Sequence, residues 1–320
     1  MIQNPILKAG ALLLIFTVVS IFFVSLTQDS TKDKIKYNED QLLIKRLGEL
    51  VSGYDNNILE EKFRIPVFIN NDGDLFTLGE AISGIIPEIN KELAEKGNSR
   101  IYKNLLGITL GTGTGGGIVI DGKLLIGDNS AGAEINRSNN FMDSSMSIEE
   151  TLSIRGVKTL YSNNSGISMD ECPEPGDIFK IAGGTVNGNK NAAIETWKLF
   201  GTVLGHSLAN AVTLVDGLIV IGGGLSGAYT MFMPTVIEAM NGKFTRIDGH
   251  KFQRLEVYAY NLEDPEGYNN FMKNEDVELS IFGSTKTITY SPVKKIGIGV
   301  SKLGTSKAVA IGAFAYASTQ

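Results

Sequence analysis

"LGITLGTGTGGGIVIDGKLLIG" runs from Leu106 to Gly127, and every residue from 111 to 117 is glycine or threonine. Such a stretch is either a loop that cradles phosphate or the tight turn of a β-hairpin. A dinucleotide-binding glycine loop passes from a strand into a helix whose N-terminus faces the pyrophosphate. Here β-branched residues continue after the glycines, and Asp121-Gly122 supplies a hairpin turn where that helix would begin. The Gly-Lys-Ser/Thr ending of a P-loop is absent as well. The stretch therefore reads as a glycine-rich hairpin with Thr112 and Thr114 at its tip. Successive backbone N–H groups there form an anion nest and the hydroxyls add donors, while a purely structural hairpin accounts for the same residues.

A second glycine turn, "IGGGLSG" (Ile221–Gly227), follows an apolar run and precedes a helical pattern. Backbone without side chains at Gly222, Gly223 and Gly224 can approach a flat ligand, and a helix N-terminus faces the same place. Two such turns on separate strands form the pattern of an actin-like ATPase domain. A third element is "IPVFINNDGDLFTLGE", read as a strand over Pro66–Ile69 running into a polar turn. Asp72 at the end of that strand suits a base that accepts a proton from an attacking hydroxyl, and Asn71 suits a polyol. A surface turn explains these turn-forming residues equally well.

The 320-residue chain is 42% hydrophobic and 20% charged, an ordinary globular composition. Its net charge of −6 and lack of a basic block argue against a nucleic-acid partner. Cys172 is the single cysteine, which excludes an internal disulfide or a multi-cysteine zinc site and suits a reducing cytoplasm. The uncharged run Gly10–Leu26 reads as a buried strand pair, with a membrane anchor as the alternative. A helix is expected over 41–53, helical segments interrupted at Pro87 after Leu75, a long helix over 191–215, and an alanine-rich helix at the end. Strands alternating with helices, with hairpins added, imply an α/β protein with mixed sheets.

With the three motifs in this order, the sequence resembles the ROK family of bacterial sugar kinases and regulators from about Leu59 onward. The resemblance implies a two-lobed, actin-like ATPase (ribonuclease H-like) fold, here with a lobe over 1–105 and a nucleotide-binding lobe over 106–320. The last helix would pack back on the first lobe. It implies transfer of the ATP γ-phosphoryl group to a hydroxyl of a hexose or N-acylhexosamine, with Mg²⁺ arriving with ATP, and a homodimer. Asp72 falls on the catalytic base. Asn71, Glu134 and Arg137 fall on sugar-binding positions, Gly111, Thr112 and Gly113 on the phosphate loop, and Gly222, Gly223 and Gly224 on the adenosine turn.

Two departures stand out. Arg137 occupies the place of a histidine that would contact sugar and ligate zinc, and "NNFMDSSMSIEE" replaces the zinc cysteines, so no zinc is expected. The family's opening D-x-G-G-T motif does not occur, and the first lobe is altered and shortened. A kinase that has lost catalytic power is therefore the rival reading. A ROK-type repressor is a further one, lacking the basic helix-turn-helix that it would need.

Overall fold

The computed structural model describes residues 66–319. The apolar run 10–26, the helix expected over 41–53 and most of the shortened first lobe lie outside the described residues. Asn70–Gln320 form one compact unit.

Segment 66–70 is irregular and leads into α1 (Asp72–Ser83) and α2 (Ile85–Glu95). A meander of β1 (Leu105–Leu110), β2 (Thr114–Ile120) and β3 (Lys123–Leu124) comes next. Three helices follow, α3 (Ile154–Ser165), α4 (Pro175–Gly183) and α5 (Lys190–Val215), then β4 (Leu218–Gly222) and α6 (Tyr229–Met240). A hairpin of β5 (Lys243–Thr245) and β6 (Lys251–Gln253) precedes β7 (Tyr258–Asn261) and α7 (Pro265–Met272). A second hairpin, β8 (Val277–Ser280) and β9 (Thr287–Tyr290), leads to β10 (Lys295–Val300) and α8 (Thr305–Ser318).

Six strands form one sheet in the order β3-β2-β1-β4-β10-β7. The meander is antiparallel, whereas β1, β4, β10 and β7 run parallel, so the sheet is mixed as the sequence implied. The Asp121-Gly122 turn has both residues at positive φ, 48° and 78°, as a two-residue hairpin of this type requires. Strand alternation then divides the core. Leu106, Ile108, Leu110, Ile219 and Ile221 face α5 and α6, where Trp197, Phe200 and Phe232 pack together. Leu105, Val119, Leu218 and Val220 face α1, α2 and α8.

Two expectations are corrected. No strand forms over Pro66–Ile69; Asn71 instead caps α1, its Oδ1 accepting from Gly73 N at 2.8 Å, so Asp72 opens a helix rather than ending a strand. The helical stretch breaks at Gly84, not at Pro87. Proline is tolerated in the first turn of α2, where its missing N–H is not needed, and a Cβ at Gly84 would overlap the Glu80 carboxylate. That carboxylate also accepts from Ile85 N and Ser301 Oγ, tying the break to the end of β10.

Helices α1 and α8 pack backbone against backbone, because a Cβ at Gly79 would overlap the Ala308 carbonyl and one at Gly312 the Leu75 carbonyl. We expect Gly312→Ala to lower stability by about 1–3 kcal/mol through overpacking, measured by urea unfolding. Gly183→Ala, where the nearest atom is 4.0 Å away, is expected to cost nothing. Equal stability of the two variants would contradict this packing account.

Candidate active site

The carboxyl ends of β1 and β4 lie side by side, with Thr109 paired to Gly222, so the two glycine turns become neighbours. Helices leave β4 and β10 toward opposite faces of the sheet, α6 to the side of α5 and α8 to the side of α1. That reversal opens a crevice at the strand ends, the usual place for a ligand in a parallel sheet.

Each glycine turn divides its labour. In the first, Gly111 O accepts from Ile154 N, Gly111 N donates to Gly113 O, and Thr114 N donates to Glu149 Oε2. Among the described residues, the N–H groups of Thr112 and Gly113 have no partner, which leaves two donors for an anion. Thr114 is buried and its hydroxyl donates to Leu152 O, so it holds the turn rather than facing outward. In the second turn, Gly223 has φ +86°, and a Cβ there would overlap the Leu110 carbonyl. Its N–H donates to Thr305 Oγ1 at 2.9 Å. Gly224 is exposed, with open space where a side chain would be.

The glycines Gly115, Gly116 and Gly117 serve a different purpose, which is close packing. A Cβ at Gly73 would lie 2.6 Å from Gly116 O, so the first turn of α1 presses on β2. A Cβ at Gly116 would lie 2.7 Å from Ala133 O, so the segment bearing Glu134 crosses the same strand. Asn71, Asp72 and Glu134 thereby share one cleft of about 380 Å³ with Gly111, Thr112, Gly113 and Gly223. The Asp72 carboxylate has no hydrogen-bond partner among the described residues. It sits in the first turn of α1. The Asn71 oxygen accepts the cap bond, and its Nδ2 donors face no protein acceptor among the described residues.

Of the residues singled out from sequence, Arg137 is exposed and does not line this cleft, and neither do Gly222 and Gly224. Gly222 is buried, with no room for a Cβ against Phe76. Asn136 and Thr109 line the cleft, and Glu149 and Thr305 brace its two turns; sequence reasoning named none of the four. No local pattern marks them, since each acts through a partner at least 35 residues away or through the turn it sits on.

A family model described as "ROK family" matches residues 55–267, two-thirds of the chain. The chain belongs to the ROK family. A second model, "RnfG N-terminal region", matches residues 1–50. A glucokinase structure from Parabacteroides distasonis is 43% identical with a TM-score of 0.76, covering 83% of this chain and 72% of that one. A ROK family glucokinase from Streptomyces griseus, in complex with glucose and AMPPNP, is 18% identical with a TM-score of 0.51 over 83% and 72%. The fold is thus the actin-like ATPase fold. Among curated proteins, an N-acetylgalactosamine kinase from Shewanella sp. is 30% identical over 171 residues, half of each chain. An N-acetyl-D-glucosamine kinase from Pectobacterium carotovorum is 31% identical over 186 residues, 52% of this chain and 54% of the other. The chain spans about half the length of the curated relatives it matches.

Where this ROK chain departs from the zinc cluster, side chains hold the loop. Buried Asn140 donates to Thr151 Oγ1 at 2.8 Å and accepts from Met142 N, and Phe141 stacks on His206 with ring centroids 3.6 Å apart. Burial and the Arg254 guanidinium push the His206 imidazole down to about 4, so it stacks as a neutral ring. Among the described residues, no group of three or more His, Cys, Asp or Glu is placed to hold a metal.

Asp74, in the first turn of α1 behind the cleft, is an uncompensated buried group. It is 6% exposed, its Oδ1 has no partner, and burial followed by the nearby Glu134 charge raises it from 3.8 to about 6. A carboxyl raised on folding binds its proton more tightly in the native state. Stability from this group is therefore present at low pH and lost as pH rises from about 4 to about 6, a cost of about 3 kcal/mol above that window. Asp74→Asn is expected to be more stable than the parent at pH about 8 and to lose that advantage near pH 4. Urea unfolding of both proteins at the two pH values checks this, and a pH-independent difference would contradict it.

Proposed function

We propose that this ROK chain carries the chemistry of a sugar kinase, with the cleft at the ends of β1 and β4 as its centre. The observation that carries the reading is the meeting of Asn71, Asp72 and Glu134 with the free N–H groups of Thr112 and Gly113 in one cleft. The substrate class is a hexose or N-acylhexosamine, in line with what the named relatives act on.

In this reading Asp72 accepts the proton of the attacking sugar hydroxyl, as phosphoryl transfer requires of a positioned base. The Asn71 Nδ2 donates to a hydroxyl oxygen and the Glu134 carboxylate accepts from a neighbouring hydroxyl, which fixes the ring. Arg137, exposed and outside the cleft, is given no contact with the sugar in this reading. The Thr112 and Gly113 N–H groups take phosphate oxygens, and the nucleotide passes along the backbone of Gly111 and Gly223, with Gly222 and Gly224 shaping the second turn from outside the cleft. The cleft's free donors and missing side chains fit ATP. Mg²⁺ bound with ATP neutralises charge on the transferred group, and the carboxylates of Asp72 and Glu149 border the loop where it would arrive. ATP as donor makes the cytoplasm the compartment, and the homodimer implied by the resemblance belongs to the same proposal.

One observation favours a second reading. The D-x-G-G-T motif is absent, and residues 1–50, ahead of the ROK match, resemble a different family. A chain without that motif loses donors and charge placement on which this reaction depends, so ligand binding with poor transfer is the alternative. We expect ADP release from Mg²⁺-ATP to depend on one sugar from a panel of hexoses and N-acetylhexosamines, and Asp72→Asn to lower it about 10²–10⁴-fold. Calorimetric binding of sugar and AMPPNP without turnover would support the second reading. Neither binding nor turnover in a folded protein would sink both.

A further inference from the structure

The segment that crosses Gly116 brings two residues to the cleft, Glu134 and Asn136, one on each side of Ile135. Ile135 is buried, and its Cγ2 would lie 2.9 Å from a Cβ at Gly116, so it anchors the segment to β2. Three backbone bonds lock the turn. Ile135 N donates to Ala133 O at 2.6 Å, Arg137 N to Glu134 O at 3.1 Å and Ser138 N to Ile135 O at 2.9 Å. Ala133 is held at φ 60°, a left-handed value that a residue with a side chain adopts only where its surroundings enforce it. Asn136 is thus half-buried on fixed backbone, while its neighbour Arg137 lies outside the cleft.

Three asparagines stand in this stretch, and two of them have structural work. Asn139 donates to Ser144 O, and Asn140 donates to Thr151 Oγ1 and accepts from Met142 N. The Asn136 amide bonds to nothing among the described residues, so the turn does not need it. Its neighbours in the cleft supply different chemistry: Asn71 offers Nδ2 donors, and the Glu134 carboxylate accepts. Asn136 offers a donor and an acceptor side by side on one planar group. Two adjacent gauche hydroxyls on a pyranose ring match that spacing, one donating to Oδ1 and the other accepting from Nδ2.

We propose that Asn136 is a specificity-determining residue of the sugar site, its amide making a two-point contact with a pair of adjacent ring hydroxyls. The inference rests on the sugar-kinase reading of the cleft and adds the group that fixes how the ring is turned beside Glu134. A single hydrogen bond fixes a point, whereas two from one rigid amide fix an orientation. The contact also sets a substrate rule. Both hydroxyls must be present, because a site built to bond a hydroxyl rejects the analogue that leaves its polar group unpaired.

The test is calorimetric binding of D-glucose, N-acetyl-D-glucosamine and N-acetyl-D-galactosamine, each with its deoxy forms at the free ring hydroxyls. The proteins are the parent, Asn136→Ala and the control Ser138→Ala, an exposed position outside the cleft. Circular dichroism confirms that each is folded. In the parent and control, loss of either of two adjacent hydroxyls is expected to weaken binding about tenfold. In Asn136→Ala the full sugar is expected to bind about tenfold more weakly, and the same two deoxy sugars to bind as well as the full one, while penalties at the other hydroxyls persist. Deoxy penalties that are the same in the parent and Asn136→Ala overturn the proposal and leave the kinase reading standing. So does a penalty that collapses at one hydroxyl alone or at two that are not adjacent. A folded parent that binds none of the three sugars overturns the kinase reading itself, and this inference with it.

Discussion

The site depends on one close approach, that of the Gly73 and Gly116 backbones. A methyl group on either would collide with main-chain atoms, not with a side chain able to swing away. Packing at that distance sets the first turn of α1 directly on β2. Gly116 also admits the Ala133–Ile135 segment on its other side. Asn71, Asp72 and Glu134 thus come from two segments more than 60 residues apart and reach one cleft through a single bare strand.

The rest of the architecture serves that contact. Gly79 and Gly312 let α8 lie against α1, which fixes the helix whose N-terminus presents Asp72. Thr77 Oγ1, donating to Gly73 O, fills the space that Gly107 and Gly117 leave vacant. On the nucleotide side, Gly223 abuts Leu110 and Thr305 caps its N–H, so β10 and α8 reach into the second turn. Buried Asp74 is the cost of this arrangement, an unpaired carboxyl beside Glu134. Native proteins retain such groups mainly where function depends on them.

Much of this was legible in the sequence, and the illegible parts have identifiable causes. Asp121-Gly122 decided between hairpin and helix because the two demand different backbone signs, and the turn has the signs expected. The segment around Asp72 was legible as polar and site-like but not as a helix start. Asn, Asp and Gly favour turns and caps alike, and only the Asn71 cap distinguishes them. The seven residues 111–117 look uniform, yet a Cβ at Gly111 would meet open space, one at Gly116 the Ala133 carbonyl and one at Gly117 the first turn of α1; only tertiary packing separates them. Glu149 and Thr305 act across the fold and left no local trace.

The most direct measurement of the central claim is calorimetric sugar binding, across the hexose and N-acetylhexosamine panel, to the parent, Gly116→Ala and Gly176→Ala. A Cβ at Gly176 meets open space, so that variant is expected to bind like the parent. Gly116→Ala displaces the Ala133–Ile135 segment that bears Glu134, and binding is expected to weaken by about tenfold or more while the protein stays folded. Unchanged affinity in folded Gly116→Ala would contradict the account.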